Sequence, residues 1–182
     1  MQKEDIILLI EDKHKALVDW MDHHGMRYWE YGPTGKWTSA QHVVHLVQSM
    51  KPLNTALVIP KMALKMKFGK ANRLPRSYEQ VVNRYKEKLS EAGEVISPFS
   101  QNMPEPPIDK MENWMKKLTS EKDSLIKSIR KKWNEKEMDT CLLPHPLMGK
   151  MLVREMLMWT AYHTEHHYNL IKSRAEEKKK GN

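Results

Sequence analysis

The sequence predicts an all-α protein: an antiparallel four-helix bundle with one additional short helix inserted between the second and third helices of the bundle. Three observations lead to this prediction. Apolar residues recur at intervals of three, four and seven along most of the chain, which is typical of helices with one buried face. Glycines and prolines divide the chain into long helical segments. No alternating run of β-branched residues between turns indicates a strand.

The composition is that of a folded protein. The chain has 182 residues, of which 40% are hydrophobic and 30% are charged, so it can bury one sizeable core. The helical pattern covers residues 1–177, which we expect to form a single domain, and residues 178–182 are expected to form a basic polar tail. This composition excludes a disordered chain.

The cysteine content and the N-terminus bear on the cellular compartment. Cys141 is the only cysteine, so no internal disulfide can form, which favours a reducing cytoplasm. The apolar run near the N-terminus is far shorter than the ~18 apolar residues of a membrane-spanning helix, and no small-residue cleavage site follows it. We therefore expect a cytoplasmic protein without a membrane partner, in which the lone thiol is a packing residue rather than a nucleophile.

The formal net charge of +8 raises the question of a nucleic-acid partner. A basic surface gains affinity for nucleic acid by releasing counterions from the phosphates. The lysines are dispersed among acidic residues in several segments, however, and only Lys178–Lys180 form a continuous run. No nucleic-acid recognition motif accompanies the charge. The sequence therefore does not predict a nucleic-acid partner.

The first helix is predicted over residues 3–24. Ile6 and Leu17 belong to an apolar series with helical spacing, and Gly25 is a typical residue at the end of a helix. The following segment, 26–36, contains glycine, proline and aromatic residues. We predict that it is a connector.

The second helix is predicted to start near Ser39. Thr38 and Gln41 have the spacing of a capping box, in which the threonine oxygen accepts a backbone N–H and the glutamine reaches back to the start of the helix. Pro52 and Pro60 are expected to kink or interrupt the later part of this helix, because proline lacks a donor and clashes with the preceding turn.

A shorter helix is predicted over residues 77–92. Ser77 and Gln80 repeat the capping-box spacing, and Gly93 closes the helix. The following segment, 96–109, contains four of the ten prolines and is predicted to be a loop.

The third and fourth main helices complete the predicted bundle. Asp109 is expected to cap a long helix whose inner face includes Leu118 and Leu125. A loop over residues 141–149 comes next, and the last helix is predicted over residues 150–177.

Five of the nine histidines fall into two groups on the second and last helices: His42 and His45, then His163, His166 and His167. Histidines four residues apart project from one helix face and can hold a single metal ion. His163 and His167 have this spacing and lie in the centre of the apolar stripe. Two buried imidazoles need polar partners, and a metal ion supplies them for both. Hydrogen-bonded core histidines are the alternative interpretation.

Helical geometry also separates the remaining histidines. His166 is displaced by about 80° from the centre of the stripe, toward its polar edge, so we do not expect it to be a ligand. His45 lies on the same side of its helix as Gln41 and Ser49. From periodicity alone it is either exposed to solvent or part of a polar cleft.

Two segments carry a resemblance to a known family. GKWTSAQHVVHLVQSM has a tryptophan and a hydroxyl residue ahead of a helix that bears histidine, and LPHPLMGKMLVREMLMWTAYHTEHHYNLIK has a His-Pro-x-x-Gly turn before a helix with His-x-x-x-His. Their order and spacing resemble those of the DinB-like family over nearly the whole chain. The resemblance implies an up-down-down-up bundle, frequently a homodimer, that holds a divalent metal such as zinc or nickel. Position by position, the implied ligands are His45, His163 and His167.

The resemblance also implies a range of activities. Three protein ligands leave a coordination position open, which is typical of catalytic zinc sites. The family includes thiol S-transferases that use low-molecular-weight thiols. We therefore expect a metal-dependent enzyme of this type acting on a small molecule, with a hydrolase or a non-catalytic metal-binding module as alternatives. Glu155, near the edge of the inner face, is a candidate for a proton-transfer role, whereas Glu165 lies on the opposite face.

Overall fold

The computed structural model describes residues 1–93 and 103–180, so part of the predicted loop over 96–109 lies outside the described residues. Within them, none of the helices is both long enough and apolar enough to cross a membrane. The all-α prediction is confirmed, apart from one sheet of two short strands. The elements are α1 (Lys3–Tyr28), α2 (Ser39–Leu57), α3 (Lys61–Phe68), α4 (Tyr78–Ala92), a 3-10 helix (Ile108–Lys110), α5 (Met111–Lys132), α6 (Glu135–Met138), β1 (Leu142–His145), β2 (Gly149–Leu152) and α7 (Val153–Lys180).

The four long helices α1, α2, α5 and α7 form the body of the molecule. α1 packs against α7 and α5, and α2 packs against the same two helices. The shorter α4 packs against α7. The additional helix predicted after the second long helix is therefore present, and it lies beside the last one.

Two apolar clusters fill the interior. The first contains Leu125 of α5 and residues of α7 up to Ala161, and the second contains Val43 of α2 and Ile171 of α7. The turns of α7 that carry the histidines lie between these two clusters in the sequence. This arrangement places imidazoles inside a largely apolar interior.

Both predicted capping boxes are present. The Thr38 Oγ1 accepts the Gln41 backbone N–H at 3.3 Å, and the Gln41 Oε1 accepts the Thr38 N–H at 2.9 Å. Ser77 and Gln80 make the same reciprocal pair at 3.3 and 2.9 Å. The first N–H groups of a helix have no acceptor within the helix, and these bonds give them one. α2 and α4 therefore begin where the sequence predicts.

The predicted end of α1 at Gly25 is wrong, because the helix continues to Tyr28. Gly25 is buried against α5, and a Cβ at this position would lie 2.7 Å from the Sδ of Met111. The glycine therefore allows two helices to approach closely. A sequence pattern cannot distinguish this use of glycine from helix termination.

The two prolines after the start of α2 behave differently. α2 continues through Pro52 to Leu57, so this proline does not end the helix. Pro60 immediately precedes the first turn of α3, where its missing N–H costs no helical hydrogen bond. The sequence patterns did not predict the separate helix α3.

The predicted cap of α5 is also wrong. Asp109 lies inside the 3-10 helix, and α5 begins at Met111 without a side-chain cap. At the other end, the helix stops before Trp133, whose indole N–H donates to the Leu57 carbonyl oxygen at 3.0 Å.

The predicted loop over 141–149 contains the first strand of a hairpin. β1 and β2 pair in antiparallel fashion with Leu143 opposite Met151, and Gly149 adopts a φ of +71° after the turn. Strands of four residues are too short to show a reliable alternating pattern. β2 leads directly into α7, which spans Val153–Lys180 rather than 150–177.

Candidate metal centre

The three histidines implied by the family resemblance lie together. Donor atoms from His45 of α2 and from His163 and His167 of α7 all lie within 4.8 Å of one another. The Nε2 atoms of His45 and His163 are 3.2 Å apart, and those of His167 and His163 are 3.0 Å apart. Three imidazole nitrogens converging from two helices form a donor set suited to zinc, nickel, copper or iron.

Burial keeps the two α7 histidines neutral. It holds the pKa of His163 and that of His167 well below the usual range, and the neighbouring His45 lowers both further. A neutral imidazole has a lone pair for a metal, whereas a protonated imidazole has none. The buried group therefore offers metal-binding nitrogens at neutral pH.

Two tryptophans shield the histidine rings. Trp159 stacks on His163, with ring centroids 4.4 Å apart and an interplanar angle of 20°. Trp37, from the connector before α2, lies parallel to His167 at 6.1 Å and 17°. Both rings limit the access of water to the imidazoles.

His42 makes a contact that the sequence patterns did not predict. Its Nδ1 lies 2.7 Å from the Nδ1 of His167, and its Nε2 accepts a hydrogen bond from Arg174 at 2.5 Å. The same Arg174 nitrogen donates to the Trp37 carbonyl oxygen at 2.7 Å. A sequence signal for this role did exist, because His42 is four residues before Leu46 on a buried face, where a polar side chain requires a partner.

This hydrogen-bond chain determines where the protons lie. Arginine can only donate, so the Nε2 of neutral His42 is an acceptor and its proton is on Nδ1. That proton is donated to the Nδ1 of His167, which leaves the proton of His167 on Nε2, facing His163. Metal binding through the Nε2 of His167 needs the proton of His167 on Nδ1. The Nδ1 of His42 must then accept that proton's hydrogen bond, and the proton of His42 moves to Nε2. The residues therefore fit a metal once the hydrogen bond between Arg174 and His42 is given up.

The hairpin and α7 add hydrogen-bond donors near the histidines. The Nδ1 of His145 accepts the backbone N–H groups of Leu147 and Met148 at 3.1 and 3.0 Å, so the remaining proton of the neutral ring is on Nε2. The ring of His145 packs edge-on against Trp159 at 4.3 Å. Among the described residues, the buried indole N–H of Trp159 has no hydrogen-bond partner.

α4 contributes one ring to the surroundings of the histidines. The Tyr85 ring centroid lies 6.3 Å from that of His163 and 6.2 Å from that of His166. Burial raises the pKa of Tyr85 to about 12, so the phenol keeps its proton at neutral pH. The additional helix therefore forms one wall of the site.

The other candidate residues lie outside the group of three. His166 is half-buried and does not belong to it, as the helical geometry predicts. Glu155 is fully buried, but its oxygens bind Arg73 and Arg76. It lies eight residues, or about 12 Å of helix, from His163. Cys141 is buried in the first apolar cluster.

No family model, curated protein or solved structure matches the chain.

Proposed function

We propose that this protein is a divalent-metal-dependent enzyme of the thiol S-transferase type, with His45, His163 and His167 as the metal ligands. The observation that carries the proposal is the convergence of three histidine nitrogens within 4.8 Å, without an acidic or thiol side chain in the same group among the described residues. The resemblance to the DinB-like family supports the same assignment.

The donor set favours an open site over a closed structural one. Structural zinc sites normally have four protein ligands, whereas three ligands leave a position for water or substrate. A zinc or nickel ion bound here would act as a Lewis acid that lowers the pKa of a thiol or water. The protein's own part is to hold the imidazoles neutral, to shield them with Trp37 and Trp159, and to orient His167 through His42.

The absence of a carboxylate from the histidine group favours thiol transfer over hydrolysis. Hydrolytic sites commonly use a nearby carboxylate as a general base, whereas a thiol needs only a modest lowering of its pKa to become a nucleophile. In the described part of the chain, Glu155 is engaged by arginines and Glu165 binds Lys13. The substrate class that we propose is a low-molecular-weight thiol together with a small electrophile.

The family resemblance extends the proposal to the assembly. The contacts of α1, α2, α5 and α7 are compatible with an up-down-down-up four-helix bundle. Dimerisation is proposed from the resemblance alone, and light scattering of the purified protein tests it directly.

The experiment has two stages. Chelator-treated protein is reloaded with zinc or nickel, and elemental analysis should find one ion per chain. The loaded protein should then accelerate the reaction of a small thiol with an epoxide or aryl halide at least tenfold over free metal and thiol. The double variant His163→Ala/His167→Ala should lose both properties, whereas His23→Ala, which replaces an exposed histidine of α1, should retain them.

Each alternative gives a distinct result. Stoichiometric metal binding without acceleration would overturn the enzyme proposal in favour of a metal-binding module. Metal-dependent cleavage of esters in the absence of any thiol would favour a hydrolase. Failure to bind metal would leave the histidines as hydrogen-bonded core residues.

A further inference from the structure

The net charge of the protein is concentrated in one segment. Residues 31–78 contain eight Lys and Arg and no Asp or Glu, and this segment alone accounts for the excess of 31 basic over 23 acidic residues. The rest of the chain is balanced. Half of these eight basic residues, between Lys61 and Lys70, lie in α3 or directly after it.

The outward face of α3 is apolar. Met62 and Met66 are one turn apart and are 72% and 81% exposed, whereas Leu64 on the opposite face is buried in the first cluster. A methionine pair this exposed has no packing role within the described residues. Leu74, just beyond the helix, is 87% exposed.

Lysines flank this apolar face on both sides. With a step of about 100° per residue, Lys65 falls on one side of the two methionines and Lys67 falls on the other. Lys61 is on the same side as Lys65, but its Nζ donates to the Lys132 carbonyl oxygen, so its charge is directed toward α5. Lys150 of β2 joins them, since its Nζ donates to the Phe68 carbonyl oxygen at 2.8 Å. None of these lysines forms an ion pair with an acidic side chain in the described part of the chain, so their charge is uncompensated there.

The segment after α3 is firmly attached to the fold. The buried carboxylate of Glu155 accepts hydrogen bonds from the guanidinium groups of Arg73 and Arg76 and from the backbone N–H of Arg76 at 2.9 Å. Leu74 lies between these two anchored residues. The backbone on both sides of it is therefore fixed while its side chain is exposed. The exposed Leu74 side chain is thus positioned before any partner arrives.

We infer that α3 and its flanking lysines form a docking surface for an anionic lipid bilayer. In this arrangement Met62 and Met66 insert between lipid headgroups while the lysine stems extend to the phosphates and carboxylates. A second copy of the same face would be repelled by its like charge. A nucleic acid would use the lysines but would gain nothing from the methionines. This attachment to a bilayer surface departs from the sequence-based expectation of no membrane partner, which rested on the absence of a spanning segment. The inference does not depend on the metal centre.

Vesicle co-sedimentation tests the inference with the full chain. Wild-type protein should bind vesicles containing about 30% phosphatidylserine in phosphatidylcholine, and it should not bind pure phosphatidylcholine. Each lysine near an anionic surface contributes about fivefold in affinity, so Lys65→Glu/Lys67→Glu should weaken binding at least 25-fold. Met62→Ser/Met66→Ser should weaken binding at least tenfold with no change in charge.

Two controls separate this surface from general effects of charge and hydrophobicity. Lys15→Glu/Lys116→Glu changes the net charge equally at exposed positions elsewhere, and Met26→Ser removes a methionine that is 77% exposed on α1. Both should bind the anionic vesicles within twofold of wild type. Circular dichroism confirms that every variant is folded.

Two results would overturn the inference. One is a wild-type protein that does not bind anionic vesicles at low salt, and the other is a control charge variant that weakens vesicle binding as much as Lys65→Glu/Lys67→Glu does. Duplex DNA binding that needs Lys65 and Lys67 but not the methionines, together with unchanged vesicle binding by Met62→Ser/Met66→Ser, assigns the surface to nucleic acid instead. Repeating the assay with chelator should give the same result, which separates this surface from the metal site.

Discussion

At the scale of single residues, the direction of each imidazole decides its role. His166 and His167 are neighbours in sequence, and both are within helical reach of His163. His167 is buried with its Nε2 3.0 Å from that of His163, whereas His166 is half-buried at the edge of the stripe. Spacing alone does not separate them, but the face of α7 does.

We predict that His167→Ala abolishes stoichiometric metal binding and that His166→Ala retains it with at most a modest loss. The reason is that only His167 contributes a nitrogen to the group of three. Elemental analysis after gel filtration measures both variants. Retention by His167→Ala together with loss by His166→Ala would show that the metal-binding face of α7 is wrongly assigned.

The hydrogen bond from Arg174 to His42 gives a second prediction. Because metal binding requires this bond to open, Arg174→Met should raise zinc affinity about fivefold, the usual net value of one hydrogen bond. Arg174→Lys keeps a donor-only side chain and should bind as wild type does. Competition with a chromophoric chelator measures both affinities. Weaker binding by the methionine variant would mean that Arg174 supports the metal-bound state.

At the scale of elements, the connector before α2 fixes one wall of the site. Gly32 lies against the backbone of the next turn, and a Cβ there would lie 2.7 Å from the Trp37 carbonyl oxygen and 2.9 Å from the Thr38 nitrogen. Backbone atoms yield less readily than the end of a side chain. Any side chain at position 32 therefore displaces Trp37.

We expect Gly32→Ala to lower the free energy of unfolding by about 1–3 kcal/mol and to weaken metal binding, because Trp37 covers His167. Gly35→Ala is the matched control from the same connector, since open space surrounds its Cβ position. Its φ of +73° predicts a cost of about 1 kcal/mol with metal binding unchanged. Urea unfolding and metal analysis measure the two effects, and equal losses of metal in both variants would contradict this account.

Glu155 joins two further elements, because its carboxylate at the start of α7 holds the segment that precedes α4. Glu155→Gln should lower the free energy of unfolding by about 3 kcal/mol, since two arginines lose their charged partner. Metal content should be unchanged. In the metal-loaded protein, retained thiol-transfer activity would indicate a structural role. Selective loss of activity in a folded variant would support the proton-transfer role instead.

Sequence patterns predicted some of these elements well and others poorly, for identifiable reasons. A capping box joins residues that are three apart in sequence, so the starts of α2 and α4 were predicted within one residue. Gly25 lies inside α1 and faces the side chain of Met111, which is 86 residues away, so no local pattern could show that the helix continues through it. The histidine group came from a helical period together with a family resemblance. The role of His42 requires Arg174, which is 132 residues away.

At the scale of the whole molecule, buried neutral histidines link stability to pH. Burial lowers the pKa of His14 to about 4 and that of His145 to about 4. An unfolded chain binds protons at these positions below a pH of about 6.5, whereas the folded chain does not. The folded state is therefore favoured above pH 6.5 and loses stability as the pH falls toward 4.

For His14 alone, this linkage predicts a loss of about 2 kcal/mol between pH 7 and pH 5. His14→Met should remove that part of the pH dependence, whereas His23→Met, at an exposed position, should not. Urea unfolding at the two pH values gives the comparison. If the free energy of unfolding of His14→Met fell between pH 7 and pH 5 as much as that of wild type, this histidine would already be protonated in the folded protein.

The rate at which a reagent labels the buried Cys141 thiol measures how often the fold opens around it. The residue is fully buried, its N–H donates to the Glu137 carbonyl oxygen at 3.0 Å, and its own carbonyl oxygen accepts the N–H of Val153, the first residue of α7. A thiol reagent can reach the sulfur only after this junction separates. At high reagent concentration, the labelling rate equals the rate of that separation. Mass spectrometry of a single adduct could therefore time how often the chain exposes the start of α7.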